Sequence, residues 1–328
     1  MKKIQLFLCF LIGVPLLAAL WYKKDAAPKV VEDQVVFHQY LSQYQLFEGD
    51  LSQLIPAAGI EVIDIQAPLF TDYTEKQRLL KLPEHQKARL TGDGLLQFPE
   101  GTLLAKTFYY PETAQNQGRR LLETRLLIKQ KSTWIARTYQ WTQTQDEAVL
   151  IEAGAVVPVA FIDAHAKVRQ VNYKIPTTAD CRSCHQVGNQ LLPIGFKARN
   201  MNRKVHRAGE EVNQLTYLQD QGKLIHSTIT AISSAVNYED PGQPIEQRVR
   251  SYLEVNCAHC HNPHGMAKSV NLDFRLETPF HHTGIWTKTG KIAARMSVMG
   301  EKHMPKLGTT VLHDEAVELI LQYIKQLN

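Results

Sequence analysis

The chain is short of cysteine. It has five in 328 residues: Cys9, Cys181, Cys184, Cys257 and Cys260. Cys9 lies in an apolar N-terminal run, and the other four belong to two short motifs, so none is left for a structural disulfide. Cationic excess is also missing. Removing residues 1–27 takes away Lys2, Lys3, Lys23, Lys24 and Asp25, leaving 33 basic and 31 acidic side chains. Nothing in that balance forms a basic stripe, so nucleic acid is not an expected partner. There is no Gly-rich phosphate loop, no nucleophile elbow and no pair of carboxylates at catalytic spacing, which removes the commonest nucleotide-binding and hydrolytic classes. No internal repeat is visible, which argues against a solenoid. With 44% hydrophobic and 21% charged residues, disorder is not expected. The length suits two or three units with real cores.

What is present is concentrated in two Cys-x-x-Cys-His motifs, Cys181–His185 and Cys257–His261. Cysteines separated by two residues sit one turn apart, so their sulfurs reach the two vinyl groups of one haem, and the following histidine binds the iron. The spacing therefore predicts two covalently bound haem c groups, one on Cys181, Cys184 and His185, the other on Cys257, Cys260 and His261. From the composition, chance gives about 0.003 such motifs per chain. Two alternatives use the same cysteines. A four-cysteine zinc site needs no fixed histidines, and thioredoxin-like redox chemistry needs a strand–helix context that is absent here.

The N-terminus has the form of an export segment. Lys2-Lys3 precedes 19 uncharged residues, Ile4 to Tyr22, close to the ~20 that span a bilayer. Trp21-Tyr22 followed by Lys23-Lys24 resembles an interfacial belt and a stop. An uncleaved anchor in the inner membrane is favoured over a cleaved signal peptide, because no convincing cleavage site follows. Either way the remainder is expected in the periplasm.

The expected fold class is α+β, an antiparallel β-rich domain followed by a mainly α-helical, cytochrome c-like region. Residues 1–24 form the signal or anchor, 25–59 a linker and short helix, 60–175 the β-rich domain, 176–240 a first haem-binding segment, and 241–328 a cytochrome c-like domain with the second haem. Phe37, Tyr40, Leu41 and Tyr44 have helical spacing. Strands are expected at Leu103–Tyr110, Leu121–Lys129, Trp134–Trp141, Val149–Ile151 and Val156–Ile162, in a sandwich-like arrangement, with turns at Thr91–Gly94 and Gln115–Gly118. Ile245, Val249, Tyr252 and Asn256 mark a helix running into Cys257. Val317, Ile320, Ile324 and Leu327 mark a terminal helix with Asp314 as its N-cap.

Each iron needs a sixth ligand or an open site. For the second, Met304 is the leading candidate, 43 residues after His261 and just before the terminal helix, with Met296 and Met299 as rivals. For the first, Met201, His206 and His226 follow the motif without a decisive context, and an open iron is equally compatible. His259 is expected at the surface, and His281-His282 in an exposed loop. Arg78, Arg125, Arg275 and Arg295 are candidates for haem propionates, since guanidinium suits carboxylate.

The chain resembles a family of bacterial diheme c-type cytochromes of unknown physiological role, of the Shewanella type. The stretches that carry the resemblance are Ala67–Tyr73, Phe98–Thr102, Leu122–Leu126, Tyr139–Trp141, the first motif with Pro193–Gly195, Asn256–His261 and Met304–Gly308. It covers about residue 35 to the end. The haem motifs alone are shared by many cytochromes, and the β-domain stretches are the more specific part. The resemblance implies a β-rich domain fused to haem-binding segments, Met304 as a distal ligand, and an exported parallel β-helix protein as a partner. Two positions depart from it: Lys306 stands where a second proline is common, and Met201 where leucine is expected. Single-electron transfer between periplasmic redox proteins is the function this implies. A diheme peroxidase- or oxidase-like enzyme acting at an open first haem, or a haem-based sensing module, is the alternative. The 76-residue separation of the motifs is short for a diheme peroxidase.

Overall fold

The structure is a computed structural model that describes residues 36–113, 118–163, 166–187 and 190–327. The expected export segment, residues 1–24, lies outside the described residues, as does most of the Gln115–Gly118 turn. Among the described residues no helix is long and apolar enough to cross a membrane.

Six strands form one antiparallel sheet in sequential order: β1 (Glu61–Val62), β2 (Glu75–Lys81), β3 (Leu103–Tyr110), β4 (Arg120–Gln130), β5 (Thr133–Trp141) and β6 (Ala148–Ile151). A separate hairpin, β7 (Ala155–Ile162) with β8 (Val168–Ile175), packs Phe161, Val171 and Tyr173 with Phe108, Tyr110 and Leu122 of the sheet. The fold is thus α+β with an antiparallel sheet, and the sandwich-like expectation reduces to a meander with a hairpin against it.

Alternation along the strands puts both faces to use. Leu79, Leu103, Ala105, Leu126 and Tyr139 face the N-terminal segment, where Leu41, Leu46 and Leu54 cover them. The opposite, inner face presents Leu80, Leu104 and Ala136 to residues of the first motif region, including Cys181, Phe196, Met201 and Leu215. Residues 63–136 and 181–224 therefore share one core. On the outer face Thr107 and Thr124 join their hydroxyls at 2.8 Å, and Trp141 Nε1 donates to Thr124 Oγ1 at 3.0 Å, so these three buried groups satisfy one another.

Of the strands that were not expected, β2 and β8 are the two longest. Strand β8 alternates strictly and is legible in hindsight. Strand β2 is not, because its inner face carries Lys76 and Arg78 where an apolar pattern would be sought. The β4–β5 turn also lacks a signal: Lys131 and Ser132 both have positive φ, 50° and 61°, the form usually made by Asn-Gly. The helix expected around Phe37–Tyr44 is only a 3-10 turn at Leu41–Tyr44, ended by Gln45 in the left-handed region at φ 50°.

Beyond the sheet short helices alternate with two small strand pairs and long irregular segments. Helix α1 (Thr178–His185) precedes a small pair, β9 (Gln186–Val187) and β10 (Gln190–Leu191), then α2 (Ala198–Met201). A second hairpin, β11 (Lys204–Arg207) with β12 (Glu210–Asn213), leads to α3 (Gln214–Asp220). Helix α4 (Ile245–Asn256) buries Val249, Tyr252 and Leu253 with Ala316, Leu319 and Ile320 of α6 (Asp314–Leu327), and Met296, at the end of α5 (Thr289–Met296), joins that cluster. Asp314 is the first residue of α6 rather than its cap, and its N–H goes to Tyr73 Oη at 3.1 Å.

An aromatic knot fastens α4 and α6 to the loop before β2. His313 stacks on Phe70 at 4.0 Å and meets Tyr73, Tyr238 and Tyr252, sharing a 3.3 Å hydrogen bond with Tyr252 Oη. Burial lowers the His313 pKa from 6.5 to about 4. The folded chain therefore binds that proton more weakly than the unfolded one. The stability from the neutral ring is complete above pH 6.5 and is lost as pH falls toward 4. Replacing His313 with Phe keeps the stacking and removes this term. The fall of unfolding free energy across that window should become shallower, by at most about 1.4 kcal/mol per pH unit. An unchanged slope in urea melts would refute the assignment.

Candidate functional site

The first motif is on α1, which opens with reciprocal capping. Thr177 Oγ1 accepts from the Asp180 N–H at 3.1 Å, and the Asp180 carboxylate accepts from the Thr177 N–H at 3.1 Å and from its hydroxyl at 2.9 Å. Cys181, Cys184 and His185 follow at helical spacing that puts them on one face. The second motif leaves the end of α4. Cys257 terminates that helix, and the next turn is closed by Cys260 N–H and His261 N–H donating to the Cys257 carbonyl at 3.1 and 2.9 Å. Gly265 lies so close behind this turn that a Cβ there would collide with the Cys260 carbonyl.

The fold brings the two motifs into contact. The ligand atoms of Cys184, His259 and Cys260 all lie within 4.8 Å of one another. This corrects the surface expectation for His259, which is half-buried with a fully buried Nδ1 that has no partner. Its sequence position inside the motif carries no hint of that, because the contact depends on a chain segment more than seventy residues away. The thiols differ. Burial pushes Cys257 up to about 12 and also raises Cys181, and Cys184 is raised by donating to Cys260, which is lowered by the same hydrogen bond. Protonated thiols are weak nucleophiles, so Cys260 alone of the four is shifted toward the reactive form.

Three cavities lie side by side here. The largest, about 450 Å³, is lined mainly by apolar atoms and includes Cys257, Cys260, His261, Met296, Met304 and Arg295. That volume is in the range of cofactor pockets. The second, about 100 Å³, holds Cys181, Cys184 and His185, with Lys106 and Arg125 of the sheet. Cys184, Asn256, His259, Pro305 and Leu307 line both. The third, about 40 Å³, shares Lys106 with the second and includes Arg78.

The two motif histidines differ in their support. His185 Nδ1 lies 2.8 Å from the Leu192 carbonyl. A carbonyl only accepts, so Nδ1 carries the proton and Nε2 keeps its lone pair, the arrangement that supports a metal-ligating histidine. His261 is buried and lines the large cavity, with a closed-off Nδ1 that has no hydrogen-bond partner. Burial lowers the pKa of both rings, which keeps them neutral and ligand-competent.

The other expected ligands are sorted by the fold. Met304 and Met296 both line the large cavity, Met304 half-buried and Met296 buried, whereas Met299 is exposed. Met201 is fully buried in the core beside Leu215 and lines none of the three cavities, so the structure does not bring it to the first motif. His206 and His226 are exposed and line none either, and His281 and His282 are exposed as expected. His303 is buried with both nitrogens engaged, by the Val298 carbonyl and Thr309 Oγ1. Of the arginines, Arg78, Arg125 and Arg295 line cavities, while Arg275 is held by Asp273 at 2.6–3.2 Å.

Asn256 ties the second motif to the sheet side. It is 1% exposed, accepts from the Phe70 N–H at 2.8 Å and donates to the Tyr252 carbonyl at 3.0 Å. Replacing it with Ala strands a buried N–H, and unfolding free energy in urea should drop by about 1–3 kcal/mol. A drop within the roughly 0.5 kcal/mol typical of surface sites would rule this role out. In comparisons with known proteins, no family model, no curated protein and no solved structure matches the chain.

Proposed function

We propose that the chain is an exported two-haem c-type cytochrome that passes single electrons between periplasmic redox proteins, a carrier rather than a catalyst. The observation that carries this reading is the meeting of two Cys-x-x-Cys-His motifs from distant segments, with Cys184 and Cys260 in one cluster. Haem c supplies an iron that takes up and releases one electron. Cys181 and Cys184 would hold one group and Cys257 and Cys260 the other, so Cys184 and Cys260 would give the two haems neighbouring points of attachment. His185, with its Nδ1 fixed by Leu192, and His261, which lines the large cavity, would hold the two irons. Met304, which shares that cavity with His261, would offer its thioether to the second iron.

Several features support this reading. The large cavity suits a macrocycle in volume and apolar lining. The donors of the first motif fit a haem, but their cavity of about 100 Å³ is small, so seating the group there requires the facing side chains of the sheet to move apart. Helix α4 feeding the second motif and α6 packed across it agree with a cytochrome c-like domain. The resemblance to the diheme family adds an exported parallel β-helix protein as a proposed partner. The apolar leader Ile4–Tyr22 adds a tether to the inner membrane.

A second reading has its own observation. Cys184, His259 and Cys260 are grouped closely enough to bind a thiophilic divalent cation such as zinc. Intact-mass measurement after production with c-type maturation separates the two. Two added haem masses are expected, and an unmodified chain with one equivalent of zinc would replace the cytochrome reading by the metal-site one. Replacing Met304 with Ala should turn one of the two haems high-spin in the optical spectrum, with Met296→Ala leaving both unchanged. The reverse pattern would transfer the distal role to Met296.

A further inference from the structure

The inner face of the sheet carries more basic side chains than acidic partners. Arg78, Lys106 and Arg125 stand directly opposite one another on β2, β3 and β4, and Lys76 shares the face two residues from Arg78. Like charges so placed repel. Some are compensated. Arg125 forms a two-pronged pair with Glu123, at 2.8 Å through Nε and 2.5 Å through Nη2. Lys76 donates to the Thr74 carbonyl at 2.5 Å, with Asp72 and Glu239 acting on it through space.

Arg78 and Lys106 have carboxylates only through space, Asp64 and Glu123, and no ion pair of their own among the described residues. Arg78 is 8% exposed, gives Nη1 to the Lys76 carbonyl at 3.3 Å, and has a buried Nη2 with no partner. Lys106 has no hydrogen bond or ion pair among the described residues, and its Nζ sits 4.8 Å from the Phe108 ring centre. Both line the cavity of about 40 Å³. The other charged groups on its wall are already paired, Lys197 with Glu254 and Arg199 with Glu277. Glu254, the one carboxylate on that wall, also accepts from the Leu276 N–H at 2.9 Å. Water can fill such a space and complete hydrogen bonds, but it does not neutralise charge.

We infer that Arg78 and Lys106 form a binding site for a carboxylate beside the first Cys-x-x-Cys-His motif. The Arg78 guanidinium offers a free donor, Lys106 a second, and the cavity has room for one such group. Burial and the neighbouring cations hold the Lys106 amine well below its usual range, and a bound anion favours its charged form again. Because Lys106 also lines the cavity of Cys181, Cys184 and His185, the site adjoins the first motif directly. The carboxylate has two sources. One is a propionate of a haem on Cys181 and Cys184, which rests on the cytochrome reading. The other is a free small carboxylate, which does not.

The test uses the full chain produced with c-type maturation, with variants Arg78→Gln, Lys106→Met and Arg78→Lys. Intact mass first records haem attachment, so the cytochrome reading is judged separately. Thermal unfolding is then followed in sodium acetate against sodium chloride at equal ionic strength, and midpoint potentials by spectroelectrochemistry. A propionate source predicts no specific acetate effect, and a downward shift of one midpoint in both charge-removing variants, because losing a nearby cation favours the ferric state. A free carboxylate predicts a saturable rise of the wild-type Tm with acetate, lost in both variants, with or without haem. Arg78→Lys keeps the charge, and should show the same changes in smaller size if the other variants fail to fold. Neither pattern appearing overturns the site. So does a higher Tm in the charge-removing variants, as relief of an unpaired buried charge would give. A spin-state change in Lys106→Met alone also overturns it, because the amine would then be an iron ligand.

Discussion

Residues 66–73 leave β1 and enter β2 without regular structure, and the backbone groups of such a segment must find partners elsewhere. They find them in distant segments of the C-terminal half. Ala67 N–H goes to Asn200 Oδ1 and Gln66 N–H to the Asn200 carbonyl, both at 2.8 Å. Phe70 N–H goes to Asn256, and the Pro68 carbonyl accepts from Tyr238 Oη at 2.7 Å. The Asp72 carboxylate accepts from Thr310 N–H and Oγ1 at 2.6 and 2.8 Å and from Val311 N–H at 3.2 Å. Asp72 and Tyr73 adopt positive φ, 48° and 61°, a strained conformation that these contacts over-determine. This one loop sets where α2, α4 and the segment after Met304 stand, and so sets how the two motifs meet.

The sequence made legible what depends on local pattern. The strands β3, β5 and β7 follow from spacing and alternation, and the place of Met304 before the terminal helix does put it on the same cavity wall as His261. What depends on long-range pairing was not legible. Asn200 and Asn256 carry no signal as asparagines, and become important only when Ala67 and Phe70 arrive against them. Strand β2 was hidden because a charged inner face contradicts the usual apolar-in rule, and that same contradiction marks the cavity at Arg78. Met201 is the opposite case: its place after the motif suggested a ligand, and packing against Leu215 gave it a core role instead.

The two motif regions have different surroundings. The second faces a roomy, apolar cavity with two methionines on its wall. The first faces a tight space between a helix and a sheet that presents Lys106 and Arg125. Cationic surroundings favour the reduced form of any redox group and apolar ones disfavour added charge, so the walls bias the two sites independently of their identical cysteine spacing.

The burial of Cys181 also bears on the order of assembly. In the finished fold its side chain lies in the core, 4.0 Å from Thr138 of β5. The cavity of about 100 Å³ is all the space Cys181 has, so the haem proposed for it would have to be attached before α1 docks onto β5. The loop at 66–73 takes its first partner from Asn200 and its last from Asn256, Thr310 and Val311, so its fixing is completed only when the end of the chain has been made.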